Sequence, residues 1–559
     1  MARQPGRDGF VNHSACGATP QSTKSSFRCR GAQHLFLKNK LLSSAVPFGF
    51  FLLRLHPSMI QPNRDILLLI AFFTVIRLAV SPTFGLGVDE AHYILYAKYL
   101  DLSYVDHPPL VGWFHAPFYY LFGTSEFLVR LPAILLFSLT TYLIYKFTAA
   151  LSGSRQVALL AALAVNSSFL FNALSFMLLP DSFLYPLMLL IIFTLKKIEN
   201  APKTKYYVCL GVLLGLSGLA KYTAILFVPP LAAYFIMKRR YDLLFSGRML
   251  LAAVVALLMI SPVLYWNLQH DFVSFRYQTG HVLGASSIDL KAFMTALAGQ
   301  FGAYSPFLFL IAFYGLFRSF RDKNDEVRLA LLFGGVILIF FLYTSLRETA
   351  LPHWNSPFYL LFIPVGVHYL SLPLRGAETG PAGGDPRQAG PGAGAGRYRK
   401  KKIFLHVAIG FSLVVTLLLY AELGGKFFRF PDYQSPFRDI YGYDTVAAEA
   451  NRFIDKNAKQ ALAVTNWTLG SRMIYYALPY RMTVFVIDKR SDQFDFWQKE
   501  PPLGFDLLFV NTHFDREDIA RTYRCDAVEP VKSMDILLNG GKVNSVDLVW
   551  CRNFSGDRP

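Results

Sequence analysis

Apolar stretches of the length a bilayer requires, about 20 residues of helix each, recur through most of this chain, and no other feature limits its fold as strongly. They run near Ile66 to Phe84, Phe127 to Ala149, Val157 to Leu174, Ser182 to Leu195, Tyr206 to Leu219, Thr223 to Met237, Met249 to Leu268, Phe293 to Phe317, Leu329 to Thr344, Pro357 to Leu372 and Ile403 to Ala421. Eleven such spans predict a polytopic α-helical membrane protein with its two ends on opposite sides of the bilayer. The stretches after Ser182 and after Tyr206 are short for a full crossing. A 16% aromatic share separates the chain further from an average soluble protein.

The formal net charge of +18 does not mark a nucleic-acid binder. Lys and Arg lie in short clusters between spans rather than in one basic domain. One set of loops holds Lys146 and Arg155; Lys196, Lys197, Lys203 and Lys205; Lys238, Arg239, Arg240 and Arg248; Arg318, Arg321, Lys323 and Arg328; and Arg397 with Arg399 to Lys402. The alternate loops hold Lys98, Lys221, Arg276, Lys291 and Arg347 almost alone. The positive-inside rule makes the first set cytoplasmic. It predicts a multi-pass protein with a cytoplasmic N-terminus and with the Asp89 segment and C-terminal domain outside, which for the inner (cytoplasmic) membrane of a Gram-negative cell is the periplasm.

Residues 1–58 lack the n-region, h-region and cleavage site of a signal peptide. Their apolar run, Leu41 to Leu55, contains Arg54, and Met59 offers a second start just before the first span. They read as a disordered tail or a mis-assigned extension, with an amphipathic anchor as the alternative. Residues 59–421 form the membrane domain, interrupted by a Gly-, Ala- and Pro-rich linker at 373–402. Beyond Ala421 the pattern turns soluble, with helical periodicity from Tyr443 to Ile454 and short strands at Leu462 to Thr465, Thr483 to Ile487, Leu507 to Val510 and Val546 to Trp550. Residues 422–559 are therefore expected to form a small α/β domain. Cys525 and Cys551 lie on that oxidising face, where a disulfide between them competes with two buried thiols.

Acids are scarce among the spans but concentrate just after the first, in Val88 to Trp113. Carboxylates beside a bilayer are costly and mark substrate or proton sites. Asp89 is the candidate general base: a carboxylate in a partly dry pocket has a raised pKa and can take a proton from an acceptor hydroxyl or amine. Glu90 either assists or sits as a favoured acid at a helix start, pointing away as the next helical residue must. Asp106 and His107, stiffened by Pro108 and Pro109, are placed to hold a phosphate or hydroxyl, or else form a plain turn. Asp181, in a short outer turn, either joins Asp89 to share a proton or bind a divalent ion, or caps its own helix. Lys221, Arg347 and His353 stand on an outer face otherwise poor in charge and suit a phosphate, with snorkelling the alternative for the two longer cations. Tyr93, Tyr96, Trp113 and Trp354 are suited to stack on a sugar or to form an interfacial belt.

The order of Asp89-Glu90, His107-Pro108-Pro109-Leu110, Glu126 to Arg130, Pro180-Asp181, Ala220-Lys221 and Pro352-His353-Trp354 resembles the integral membrane glycosyltransferases of the GT-C superfamily. The likeness is to the bacterial branch related to protein O-mannosyltransferases and to the lipid A aminoarabinose transferase. Tyr441-Gly442-Tyr443, Asn466-Trp467 and the run Ser491 to Trp497 extend it into the tail. The resemblance implies inverting transfer of a sugar from a polyprenyl-phosphate donor to a lipid, glycan or protein acceptor on the periplasmic side. The family's catalytic aspartate maps onto Asp89 and its second outer-loop aspartate onto Asp181. His107 stands where the aminoarabinose transferases have lysine, as in the O-mannosyltransferases. No resident cofactor is assigned, and a divalent metal ion between Asp89 and Asp181 stays open. A transporter or lipid flippase is the rival reading, because intramembrane acids and a lysine also suit ion coupling; it expects repeated halves and deeply placed charges.

Overall fold

The computed structural model describes residues 63–283, 288–347, 350–372, 393–498 and 502–558. The expectations for residues 1–58 and for most of the linker lie outside the described residues. The rest is a mostly helical membrane architecture followed by a small domain built on one sheet.

Each expected span carries helix, but not always one unbroken helix. Glu126–Ser152, Gly247–Gln269, Asp325–Ser345 and Gly396–Gly425 are the four helices, among the described residues, long and apolar enough to cross a membrane. The single span expected from Phe293 to Phe317 is instead a pair, Leu290–Ala303 and Pro306–Ser319, bent by 108°. Ser305 takes a φ of 75° and Pro306 has no N–H to continue the ladder, so the helix stops and restarts. The stretch before Leu174 likewise divides into Arg155–Asn166 and Phe169–Leu174. Tyr222–Phe227 is a 3-10 turn before the helix Val228–Met237, whose first turn holds two prolines.

The helix Pro180–Asn200 is buried along most of its length and orders the bundle around it. Its 21 residues extend about 30 Å, with Asp181 at one end and Lys196 and Glu199 at the other. At the latter end, Lys196 and Lys238 both reach Asp325 at 2.9 Å, and Lys238 also meets Glu199 at 2.9 Å. Three loops of the strongly basic set are thus joined by ion pairs. Close helix approach also depends on small residues: a Cβ on Gly366 would lie 2.1 Å from the Ile311 carbonyl oxygen, so Ser356–Ser371 packs directly on Pro306–Ser319.

The C-terminal sheet contains β1 (Gln460–Val464), β2 (Val484–Val486), β3 (Asp506–Thr512), β4 (Ala527–Leu538) and β5 (Gly541–Arg552) in the order β2-β1-β3-β5-β4. The first three are parallel, and β5 runs antiparallel to both β3 and β4. β4 has no counterpart among the expected strands. It is a largely exposed edge strand carrying Glu529, Pro530, Lys532 and Asp535, with a register shift at Pro530, so its pattern reads as polar loop. Cys525 and Cys551 are joined by a disulfide.

The first outer-loop helix, Val88–Lys98, lies between the two parts. Its Ala91, Ile94 and Leu95 share one apolar core with Leu469, Met473 and Tyr476 of the helix Trp467–Ala477. On the bundle side Glu90 is held by Arg130, Nε to Oε1 at 2.8 Å and Nη2 to Oε2 at 2.9 Å. Arg130 also donates to the carbonyls of Ser81, Phe84 and Gly85, and both side chains are buried. Removing one partner of such a pair leaves a buried charge uncompensated. Arg130→Met is expected to lower unfolding stability by about 3–5 kcal/mol, read as an earlier thermal midpoint of the detergent-purified protein, and adding Glu90→Gln should recover part of the loss.

Candidate active site

Five loops that the charge rule assigned to one side converge on a cavity of about 400 Å3. Asp89, His92 and Tyr93 reach it from the helix Val88–Lys98, and Asp106 and His107 from the loop that follows. Asp181 comes from the start of Pro180–Asn200, Lys221 from the end of Thr204–Ala220, and His353 and Trp354 from the turn Pro352–Asn355. Leu179, Phe340, Phe341 and Leu351 add apolar surface to the same lining. A chamber lined by both charged and apolar side chains suits an amphipathic ligand.

Two of the acids are committed to neighbours. Asp181 accepts both its hydrogen bonds from Lys221 Nζ, at 2.9 and 2.7 Å, with both residues buried. Asp106 accepts from the hydroxyl of Tyr96 on one oxygen and faces His92 Nε2 at 3.5 Å on the other, while its backbone oxygen takes Gln278 Nε2 at 2.7 Å. Burial alone would raise the Asp106 carboxyl, but the hydrogen bond and charge of His92, with His107 and Tyr96 behind them, bring it well below the usual carboxylate range. Asp89 goes the other way. Burial pushes its carboxyl up, with Asp106 and Asp181 adding to the rise against His92 and Lys221. A carboxylate destabilised in this way accepts a proton more readily than an exposed aspartate.

His107 and His353 are neutral groups near pH 7. Burial pushes His107 and His353 each down to about 4. The buried Nδ1 of His107 has no hydrogen-bond partner in the protein, which leaves it available to a ligand.

Not every candidate faces the chamber. Glu90 does not line it and instead ties down the helix through Arg130. Arg347 is half-buried with its guanidinium 5.0 Å from the Tyr343 ring, outside the lining. Trp113 donates to the Asp101 carbonyl at 2.9 Å and is not part of the lining either. A second cation does stand at the wall, but it is Arg490 of the C-terminal domain, which donates to the Tyr277 hydroxyl at 2.8 Å. His92, Tyr277, Gln278, Trp467 and Arg490 are lining residues that the sequence reading did not select. The spacing Asp89, His92, Tyr93, Tyr96 is one helical face and would have pointed to His92; Trp467 stood out only as part of the family likeness, and Arg490 arrives from almost 400 residues away with no local signal.

As a metal site the pair Asp89 and Asp181 does not fit. Both oxygens of Asp181 are engaged by an ammonium group, whose charge repels a cation. Among the described residues no group of three or more His, Cys, Asp or Glu side chains is arranged to hold an ion.

The family described as dolichyl-phosphate-mannose-protein mannosyltransferase matches residues 106–266. The chain is similar to the lipid A galacturonosyltransferase RgtD of Rhizobium johnstonii, 26% identical over 327 residues that make up 56% of this chain and 67% of that protein. In these matches the chain is similar to membrane glycosyltransferases. Its fold is similar to that of ArnT from Cupriavidus metallidurans bound to undecaprenyl phosphate, with a TM-score of 0.57 at 14% identity over 87% of this chain and 97% of that one. The apo form of ArnT gives a TM-score of 0.60 at 15% identity with the same coverage. These structures carry the fold of the chain; its site is read from its own residues.

Two depressed imidazoles give the chain a pH signature. Between about pH 6.5, the ordinary histidine value, and pH 4, the unfolded chain takes up protons that the folded His107 and His353 refuse. Their contribution to stability is therefore complete above pH 6.5 and is lost as pH falls toward 4. Thermal midpoints measured across this window should fall with acid in the parent and fall less steeply in His107→Gln and His353→Gln.

Proposed function

We propose that this protein is a glycosyltransferase that moves a sugar from a polyprenyl-phosphate donor to an acceptor on the periplasmic face of the inner membrane, with inversion at the anomeric carbon. The observation that carries the reading is the chamber itself, where a carboxylate with a raised pKa, Asp89, lines one cavity with Lys221 and with apolar side chains. The polar groups suit the sugar and phosphate, and the apolar ones suit the start of a prenyl chain.

Asp89 removes the proton from the acceptor hydroxyl or amine as that atom attacks the anomeric carbon. The bond from that carbon to the phosphate oxygen breaks, and the prenyl phosphate leaves with the electron pair. Negative charge grows on the phosphate, where Lys221 and the donor hydrogens of neutral imidazoles at His107 and His353 are placed to meet it. Asp181 acts on Lys221, holding its ammonium in the chamber. Asp106 orients His92 and Tyr96 beside the base. Arg347 is given no contact with the reacting atoms, and Glu90 serves by fixing the helix that carries Asp89.

The acceptor class is a membrane lipid or a lipid-linked glycan before a protein. The similarity to a lipid A galacturonosyltransferase supports this choice. The proposed chemistry runs without a divalent ion, since Lys221 already stands where a cation would be needed. The transporter alternative is set aside because the family comparisons identify a transferase.

Purified protein incubated with a panel of labelled polyprenyl-phosphate sugars and lipid A or lipid-linked glycan acceptors tests this reading. Asp89→Asn should lower kcat by about 10²–10⁴-fold, the usual worth of a general base, and its thermal midpoint at pH 7 should be no lower than the parent's because the buried charge is gone. Lys221→Gln should lower kcat more than it raises KM. EDTA should leave turnover unchanged. Equal turnover by Asp89→Asn and the parent would remove Asp89 as the base. The rising limb of kcat/KM with pH should lie above the ordinary aspartate value of about 3.9, as the raised Asp89 carboxyl requires.

A further inference from the structure

Beside the main chamber, and sharing Tyr277, Trp467 and Arg490 with it, lies a side pocket of about 60 Å3 that Asp492 and Gln493 close. That volume holds a few water-sized groups. It admits one substituent of a sugar ring and excludes the ring.

Two groups on its wall are prepared for a ligand. Asp492 is 9% exposed, and its Oδ1 accepts from the Phe494 backbone N–H at 2.8 Å, capping the short helix Gln493–Trp497. Its Oδ2 is buried without a hydrogen-bond partner in the protein. An unmatched buried oxygen of this kind is unfavourable, and its place on a pocket wall marks it as kept for something that enters. Arg490 supplies the complementary donors. Its guanidinium sits 5.6 Å from the Trp467 ring and donates to the neutral hydroxyl of Tyr277, so its position is set before any ligand arrives.

We propose that this side pocket is a specificity subsite for the transferred sugar, in which a hydroxyl-bearing substituent donates to Asp492 Oδ2 and accepts from Arg490 while the sugar face lies on Trp467. The inference rests on the main chamber being the donor site. A hydroxyl is the group that both donates and accepts. A hydroxyl can use both Asp492 and Arg490, whereas an ammonium can hydrogen-bond only to the acid and a carboxylate only to the guanidinium. The C-terminal domain then selects the sugar, while the loops of the membrane domain carry out the transfer.

The test uses the full chain and matched undecaprenyl-phosphate donors that differ in one group: glucose against xylose and galactose against arabinose, each pair differing by the exocyclic hydroxymethyl. Parent, Arg490→Gln and Asp492→Asn are compared; Asn keeps the helix cap but replaces the free acceptor with a donor. The parent should favour the hexose of a pair by about tenfold or more in kcat/KM, within the range available to a site that hydrogen-bonds a substrate hydroxyl, with the difference in KM. Both variants should reduce the preference to about threefold or less, by losing more kcat/KM on the hexose donor than on the pentose donor. A preference that survives both substitutions, or a parent indifferent to the hydroxymethyl, overturns the subsite. Donor dissociation constants from tryptophan fluorescence are measured on the same proteins. Should the parent turn over no donor, the transferase reading fails, and those constants alone decide the subsite: hexose selectivity lost in both variants upholds it, and flat constants overturn it.

Discussion

The buried pair between Glu90 and Arg130 is the interaction on which the rest of the site depends. Arg130 comes from the first turns of a long membrane helix, reaches three backbone carbonyls as well as the carboxylate, and so fixes the turn leading into Val88–Lys98. Successive residues on a helix point about 100° apart. With Glu90 held inward, Asp89 is directed at the chamber, and the same rotation brings His92, Tyr93 and Tyr96 to that side while Ala91, Ile94 and Leu95 enter the core shared with the C-terminal domain. One short helix thus serves an ion pair, a core and a reaction chamber on three of its faces.

Charge balance within the chamber follows from that arrangement. Asp181 and Lys221 neutralise each other, and Asp106 is satisfied by His92 and Tyr96. What remains poorly compensated is Asp89, pushed up by burial and by two neighbouring acids. A site that leaves one carboxylate in this condition stores its proton affinity in a single place, and the other charges act by holding groups still. The neutral state of His107 and His353 fits the same plan: neutral rings add no further fixed charge beside Lys221.

The helical class, the C-terminal sheet and several chamber residues could be read from the chain because they rest on local signals, although only four described helices, or five with the bent pair, are long and apolar enough to cross where eleven spans were expected. Apolar length marks the helices, and an isolated acid or lysine at the outer end of a span marks Asp89, Asp181 and Lys221. What could not be read depends on distance in the chain. Glu90 and Arg130 are separated by 40 residues, and nothing at either position says that they meet. Arg347 and Arg490 show the same limit in reverse. Arg347 has the local features of a phosphate ligand but lies over Tyr343, whereas Arg490 sits in a plainly soluble run and reaches the chamber through tertiary packing. The bend at Ser305 and Pro306 had a visible proline, yet proline is tolerated within membrane helices when neighbours satisfy the freed groups, and here Pro132, Pro186, Pro262 and Pro364 do lie inside helices.

That the C-terminal domain lends both core and wall to the chamber changes how its role should be understood. A domain attached only through a membrane helix would leave the chamber complete without it. In this chain the outer-loop helix buries its apolar face against Trp467–Ala477, and His92 Nδ1 meets Ser471 Oγ at 3.1 Å, so the group facing Asp106 is itself oriented by the soluble part. Gln493 adds a further tie, its Oε1 accepting from the Val105 backbone N–H at 2.8 Å immediately before Asp106. Orientation of the chamber's acids is therefore a property of both parts of the chain: the bundle holds Glu90, the C-terminal domain holds His92 and Val105, and Asp89 stands where those two constraints meet.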